Sequence, residues 1–159
     1  MDWGEFQRKS PRIASAGAER FQRSRLALIG TLTRDGWPRV SPVEPLFLAN
    51  DLVLGMIWRS AKALDLLHDP RCMLHSVVTD PDANEGEFKL KGNAVPAEED
   101  DTVQQIRRKW GLAPAAPLHV FRIDVLSASL TTYQFEQGLM HVERWDPYHG
   151  EIEKRRPYP

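Results

Sequence analysis

Residues 25–46 read RLALIGTLTRDGWPRVSPVEPL, and this stretch decides the fold. Arg25 to Thr33 is apolar and partly β-branched, Arg34-Asp35-Gly36 signals a turn, and Pro38 to Leu46 alternates. The two halves predict a β-hairpin. Prolines 38, 42 and 45 cannot donate to a ladder, so the second strand is expected at an edge, or to carry a bulge or bend. Such interruptions are common beside ligand sites.

Upstream, Pro11 to Ser24 places Ile13, Ala14, Gly17, Ala18 and Phe21 at three- and four-residue steps, an amphipathic helix opened by Ser10 and Pro11. Downstream, Leu52 to Trp58 reads as a third strand, and Ser60 heads a short helix, Ala61 to His68, with Ala63, Leu64, Leu66 and Leu67 as its apolar contacts. A strand from Cys72 to Val78, a polar loop from Thr79 to Gly86 and a strand from Glu87 to Val95 follow. Glu98 to Trp110 is a predicted helix, acidic at its start, basic at its end, with Val103, Ile106 and Trp110 as its stripe. Leu118 to Phe135 gives one or two strands, Gln137-Gly138 a turn, and Leu139 to Trp145 a last strand. Six or seven short strands joined mostly by tight turns, with three helices inserted, favour a mainly β fold, an antiparallel barrel with peripheral helices. One domain over residues 1–159 is expected, with a helical segment at 1–24 and a polar tail at 146–159.

The 21 basic and 22 acidic residues leave a net charge of −1, which argues against nucleic acid as partner. No stretch approaches the roughly 20 apolar residues that span a bilayer, and Met1 to Ser10 lacks the apolar run of a signal peptide. A cytoplasmic protein without membrane contact is expected, and the single cysteine, Cys72, excludes a disulfide scaffold. The five histidines have no metal-ligand spacing, and Asp80-x-Asp82-x-Asn84 lacks the glycine and bidentate glutamate of a calcium loop, so no metal is expected.

Two runs carry candidate chemistry. Trp58-Arg59-Ser60-Ala61-Lys62 lies where a strand gives way to a helix, whose unpaired first-turn N–H groups favour an anion. Arg59, Ser60 and Lys62 add two cations and a hydroxyl around one phosphate; the alternative is that Ser60 only caps while the cations are solvated. Along Arg39-Val40-Ser41-Pro42-Val43, Arg39 and Ser41 share a face and could reach one ligand, unless Arg39 merely guards an exposed edge.

Together GTLTRDGWPRVSPV, LVLGMIWRSAKALDLLHDPR and the strand holding Gly92 resemble the pyridoxamine 5′-phosphate oxidase-like flavin-binding split-barrel proteins, over roughly Phe21 to Val95. The most specific piece is the run from Ser60 to Arg71. The resemblance implies a six-stranded antiparallel split β-barrel, a homodimer, and FMN at the subunit interface. It implies that Arg39, Val40, Ser41, Pro42 and Val43 run along the flavin ring and its ribityl chain, that Ile57 and Trp58 border the ring, and that Arg59, Ser60 and Lys62 hold the phosphate. It further implies cofactor contacts by Lys89, Trp145 and Arg155, the last from the second subunit. The family's substrate-phosphate arginine, six residues beyond its tryptophan, is Glu151 here, which counts against pyridoxamine phosphate as substrate. The expected activity is hydride transfer between flavin and a small unsaturated substrate, with no catalytic side chain assignable; if water supplies the second proton, no dedicated residue is required. Alternatives are the deazaflavin coenzyme F-420 in the same cleft, which Lys89 and Lys91 would also suit, or a non-catalytic dimer carrying flavin or, as the lesser option, haem.

Overall fold

A computed structural model describes residues 1–79, 86–97 and 101–158. Its helices are α1 (Trp3–Lys9), α2 (Pro11–Ser24), α3 (Ala61–His68) and α4 (Asp101–Lys109). Its strands are β1 (Ala27–Leu32), β2 (Pro38–Val43), β3 (Pro45–Leu48), β4 (Asp51–Ile57), β5 (Arg71–Ser76), β6 (Glu87–Pro96), β7 (Leu118–Gln134), β8 (Leu139–Asp146) and β9 (Gly150–Pro157).

The hairpin forms as the sequence predicts: β1 and β2 pair antiparallel from Ala27 opposite Val43 to Leu32 opposite Pro38. The turn closes with the Thr33 N–H donating to the Trp37 carbonyl at 2.8 Å, and Gly36 takes φ +86°, which side chains resist. The expected bend falls at Glu44. Beyond it the chain resumes as β3, but β3 pairs with β4 instead of β1. The ladder order is β2-β1-β5-β6-β7-β4-β3, so its two ends are consecutive pieces of one strand. Counting β2 and β3 as that one strand, six antiparallel strands wrap a core, and the chain itself, not a hydrogen-bonded ladder, joins the ends. This is a split barrel. Prolines without N–H groups at 42 and 45 flank the split.

Leu118 to Gln134 is one strand of 17 residues, long enough to pair with β6, with β4 through its first half and with β8 through its second. The expected polar tail is instead largely strand β9, paired with β8 from Leu139 opposite Pro157 to Asp146 opposite Gly150. Nearly all of β9 is solvent-exposed, so no apolar period announces it. In the turn that leads into it, Asp146 Oδ1 accepts from the backbone N–H groups of Tyr148 and His149. The N-terminal segment is two helices, the first capped by Asp2, whose carboxylate accepts the Glu5 N–H at 2.6 Å, while Trp3 and Phe6 enter the core.

Phe6, Phe21, Phe88 and Phe121 are fully buried with Ile13, Ile29, Leu54 and Leu74. Each such side chain contributes about 1.5–3 kcal/mol of transfer free energy. Gly17 brings α2 against this core, because a Cβ there would lie 2.5 Å from the Phe88 ring. Val103 and Ile106 of α4 pack with Val53, Leu118 and Val120 in a second cluster that includes Trp110, the stripe predicted for that helix. The predicted helix start at Glu98 and the Asp80–Asn84 turn lie outside the described residues. Among the described residues no helix is long and apolar enough to cross a membrane.

Candidate functional site

β4 ends at Ile57, and the chain turns through Trp58 and Arg59 into α3. The turn is tight: the Ser60 N–H donates to the Ile57 carbonyl at 3.0 Å and Arg59 takes φ +55°, the left-handed region costly for a side chain. Ser60 stands at the cap position in extended geometry, yet its hydroxyl makes no capping bond. Its Oγ is buried and has no partner among the described residues. The α3 entrance therefore keeps an unused hydroxyl beside first-turn N–H groups that no side chain caps.

Two cations frame this entrance. Lys62 Nζ donates to the Pro42 carbonyl at 2.7 Å, and burial lowers its pKa. Arg39 Nε donates to Asp65 Oδ2 at 2.7 Å, and Thr31 Oγ1 donates to the same oxygen at 2.8 Å. Arg39 is thus neither a solvated edge guard nor wholly free: its Nε is engaged, and among the described residues its terminal nitrogens make no hydrogen bond. Asp65 was not singled out by sequence, although an acid between Leu64 and Leu66 is the available signal. The structure corrects the predicted α3 face. Ala63, Asp65 and Leu66 are buried, whereas Leu64 and Leu67 are exposed, because the helix is fastened to β1 and β2 through a carboxylate.

Trp58 stacks on His119 with ring centroids 4.4 Å apart and planes 12° off parallel. His119 Nε2 is buried without a partner among the described residues, and burial, then the Arg59 charge, lowers the imidazole pKa. His119 is a further residue that sequence reasoning passed over; it meets the corner only because it pairs with Met56 across β4 and β7. Ile57 is 76% and Trp58 49% exposed, so two large apolar surfaces lie open beside the cations.

Residues directly opposed across antiparallel strands point to the same side. Arg39 faces Thr31, and Ser41 faces Ile29, on the barrel-interior side, as the shared-face reading requires. Val40 and Pro42 point outward, and Val43 is buried in the core at 4% exposure, so the five side chains of this strand do not converge. Pro42 reaches the corner through its carbonyl.

Lys89, Trp145 and Arg155 do not join the corner within one chain. Pro42, Leu28, His75, Lys89, Ser129, Arg144 and Ile152 form one transverse row on the outer face, opposite the face that carries Arg39. Lys89 Nζ is ion-paired with Glu87. Trp145 is 3% exposed and packs on Phe6 with centroids 4.9 Å apart. Arg155 lies on the edge strand, its Nε 3.2 Å from Glu153 Oε1. Glu151 accepts the Ser10 hydroxyl at 2.6 Å, tying β9 to the helix junction.

No protein-family profile matches the chain, and no curated protein does. Solved structures share its fold. A pyridoxamine 5′-phosphate oxidase-related, FMN-binding protein from Nostoc punctiforme superposes with a TM-score of 0.65 at 15% identity, covering 92% of this chain and 96% of that one. PhzG from Burkholderia lata, bound to tetrahydrophenazine-1-carboxylic acid, gives 0.64 at 12% identity over 91% and 88%. HutZ, the heme storage protein of Vibrio cholerae, gives 0.57 at 16% identity over 74% and 89%.

Proposed function

We propose that this chain, whose fold is that of the pyridoxamine 5′-phosphate oxidase-related split barrels, belongs to that family, binds FMN and acts as an oxidoreductase. The observation that carries this reading is the buried, unpartnered Ser60 hydroxyl at the start of α3. A serine that only capped the helix would have spent that oxygen on a first-turn N–H.

The corner suits a flavin phosphate. Ser60 Oγ and the first-turn N–H groups of α3 would donate to it, Arg59 would approach from the strained turn, and Lys62 would exchange the Pro42 carbonyl for a charged acceptor. Arg39 lies on the strand beside it, and Ile57 and Trp58 supply apolar surface for a flat ring. Bound FMN would supply hydride transfer between its ring and a small unsaturated substrate. The chain's part is to bind, orient and exclude water. Asp65 is already held by Arg39 and Thr31, so its carboxylate serves to fasten α3 and not to move a proton.

Lys89 and Arg155 could touch a cofactor at this corner only from a second copy, which fits a homodimer formed across the outer face where Leu28, Val40 and Met73 are exposed beside one another. Glu151, which the sequence resemblance aligns with the family's substrate-phosphate arginine, is a carboxylate bonded to Ser10, which speaks against a pyridoxamine phosphate substrate. A non-catalytic carrier is the second reading, favoured by the fold shared with a heme storage protein.

The test is an absorbance spectrum after titration with FMN, the deazaflavin F-420 and haem, followed by an acceptor panel. FMN is expected to bind with bands near ~370 and ~450 nm, against ~420 nm for the deazaflavin and a Soret band for haem, values set mainly by the cofactor. Absence of FMN binding overturns the reading, and binding without turnover of any acceptor leaves only the carrier.

A further inference from the structure

We infer that His119 is a further binding residue of the α3 corner, whose ring Nε2 takes up a proton when a phosphate docks there, so that the corner's grip on its cofactor tightens as pH falls. The inference rests on the reading of that corner as a flavin-phosphate site.

Register brings the residue there. His119 stands opposite Met56 across β4 and β7, which puts its ring on the barrel-interior side beside the turn that leads into α3. Trp58 covers one face of the imidazole, and the Phe121 ring lies 6.2 Å away along the strand. The Nε2 atom is buried and makes no hydrogen bond among the described residues, a costly state for a polar nitrogen. Ser60 Oγ is in the same condition on the far flank of the same two-residue turn, Trp58-Arg59. One ligand with several acceptor oxygens, such as a phosphate, accounts for both orphaned atoms.

The surroundings set the direction of proton movement. Across β4 the ring faces Met56, and β6 ends alongside with the uncharged Val95, Pro96 and Ala97. On α3, Lys62 is held at the Pro42 carbonyl and Asp65 is paired with Arg39. Arg59 in the turn is the charged group whose field reaches the imidazole among the described residues; burial, then that charge, holds its pKa below the ordinary histidine value. The free corner therefore keeps His119 neutral at about pH 7. A phosphate dianion paired with Arg59 reverses the field, from one positive charge to a net negative one, where water is partly excluded. Imidazolium is then favoured, its proton comes from solvent, and Nε2–H donates to a phosphate oxygen. The loaded protein holds more protons than the free one, so affinity rises as pH falls.

The experiment is calorimetric titration of the full chain with FMN at pH 7.5 in HEPES and in Tris, buffers with different heats of ionisation, with riboflavin, which lacks the phosphate, as control. Proton uptake is expected with FMN and not with riboflavin. FMN affinity should rise about three- to tenfold from pH 8 to pH 7, tenfold being the most that one proton supplies per pH unit. His119→Phe keeps an aromatic ring against Trp58 and removes the nitrogens. It should abolish the uptake, flatten the pH dependence and weaken FMN about tenfold, the scale of one charged hydrogen bond, while riboflavin stays within about twofold. The two-buffer comparison uses the unaltered protein and decides even where the variant fails to fold. FMN binding without proton uptake, or a pH dependence that survives in His119→Phe, overturns this inference and leaves the flavin reading standing; absence of FMN binding overturns both.

Discussion

Arg39 donates its Nε hydrogen to Asp65 Oδ2 at 2.7 Å, and this contact fastens α3 to the hairpin. Asp65 is buried and also accepts from Thr31, so one carboxylate sets the helix position from which Ser60 and Lys62 project. Its removal acts on stability and on the site together. Asp65→Asn should lower unfolding free energy by about 2 kcal/mol, the scale of a charged hydrogen bond lost beside a half-exposed guanidinium. Urea unfolding measures this; a change under about 0.5 kcal/mol removes Asp65 as the fastening.

Ser60→Ala separates capping from ligand binding. Because Ser60 Oγ makes no capping bond, stability should shift by less than the ~1 kcal/mol typical of a lost cap, while FMN affinity falls about tenfold. Lys62→Ala and Arg59→Ala should each weaken FMN by about 1.5–3 kcal/mol. Calorimetric titration with thermal unfolding reads both quantities. Destabilisation without loss of affinity would return Ser60 to a purely structural role.

The turn at Arg59 stores strain. Arg59→Gly relieves a left-handed φ and should raise stability by about 0.5–1 kcal/mol, less the entropy of the freer unfolded chain, while still weakening FMN. Opposite signs for stability and affinity mark a residue retained for binding.

Gly17→Ala tests the packing of α2. A Cβ would collide with the fully buried Phe88 ring, so a loss of about 1–3 kcal/mol is expected despite alanine's better helix propensity. Denaturant unfolding decides; a stabilised variant would show that the ring can move.

Burial pushes the Cys72 thiol up to about 12. The folded value stands above the unfolded one, so the neutral thiol's contribution to stability is present below about pH 9 and is lost as pH rises toward 12. Thiol-reactive disulfide reagents should label the native protein only through unfolding, at a rate that tracks the denatured fraction. Immediate labelling at neutral pH would contradict the buried placement.

The two halves of the chain differ in how far they can be read locally. Hairpin, bend and the helix headed by Ser60 were legible because turn residues, prolines without N–H groups and a strand-to-helix junction act through neighbours in sequence. Strand β9 was not, since its side chains are almost all exposed and only its partner β8 makes it a strand. Similarly, Leu64 and Leu67 look like core contacts of a short helix, and only the buried Asp65 bond turns them outward.

Local chemistry thus dictated a proline-bent hairpin and an anion-favouring helix entrance, for which short-range backbone sterics and unpaired N–H groups suffice. Long-range pairing alone decided that Arg39 and Lys89 face opposite sides of one sheet, that Trp145 belongs to the core, and that His119 meets Trp58. Those placements depend on register between strands distant in sequence, where a shift of one residue moves every side chain to the other face.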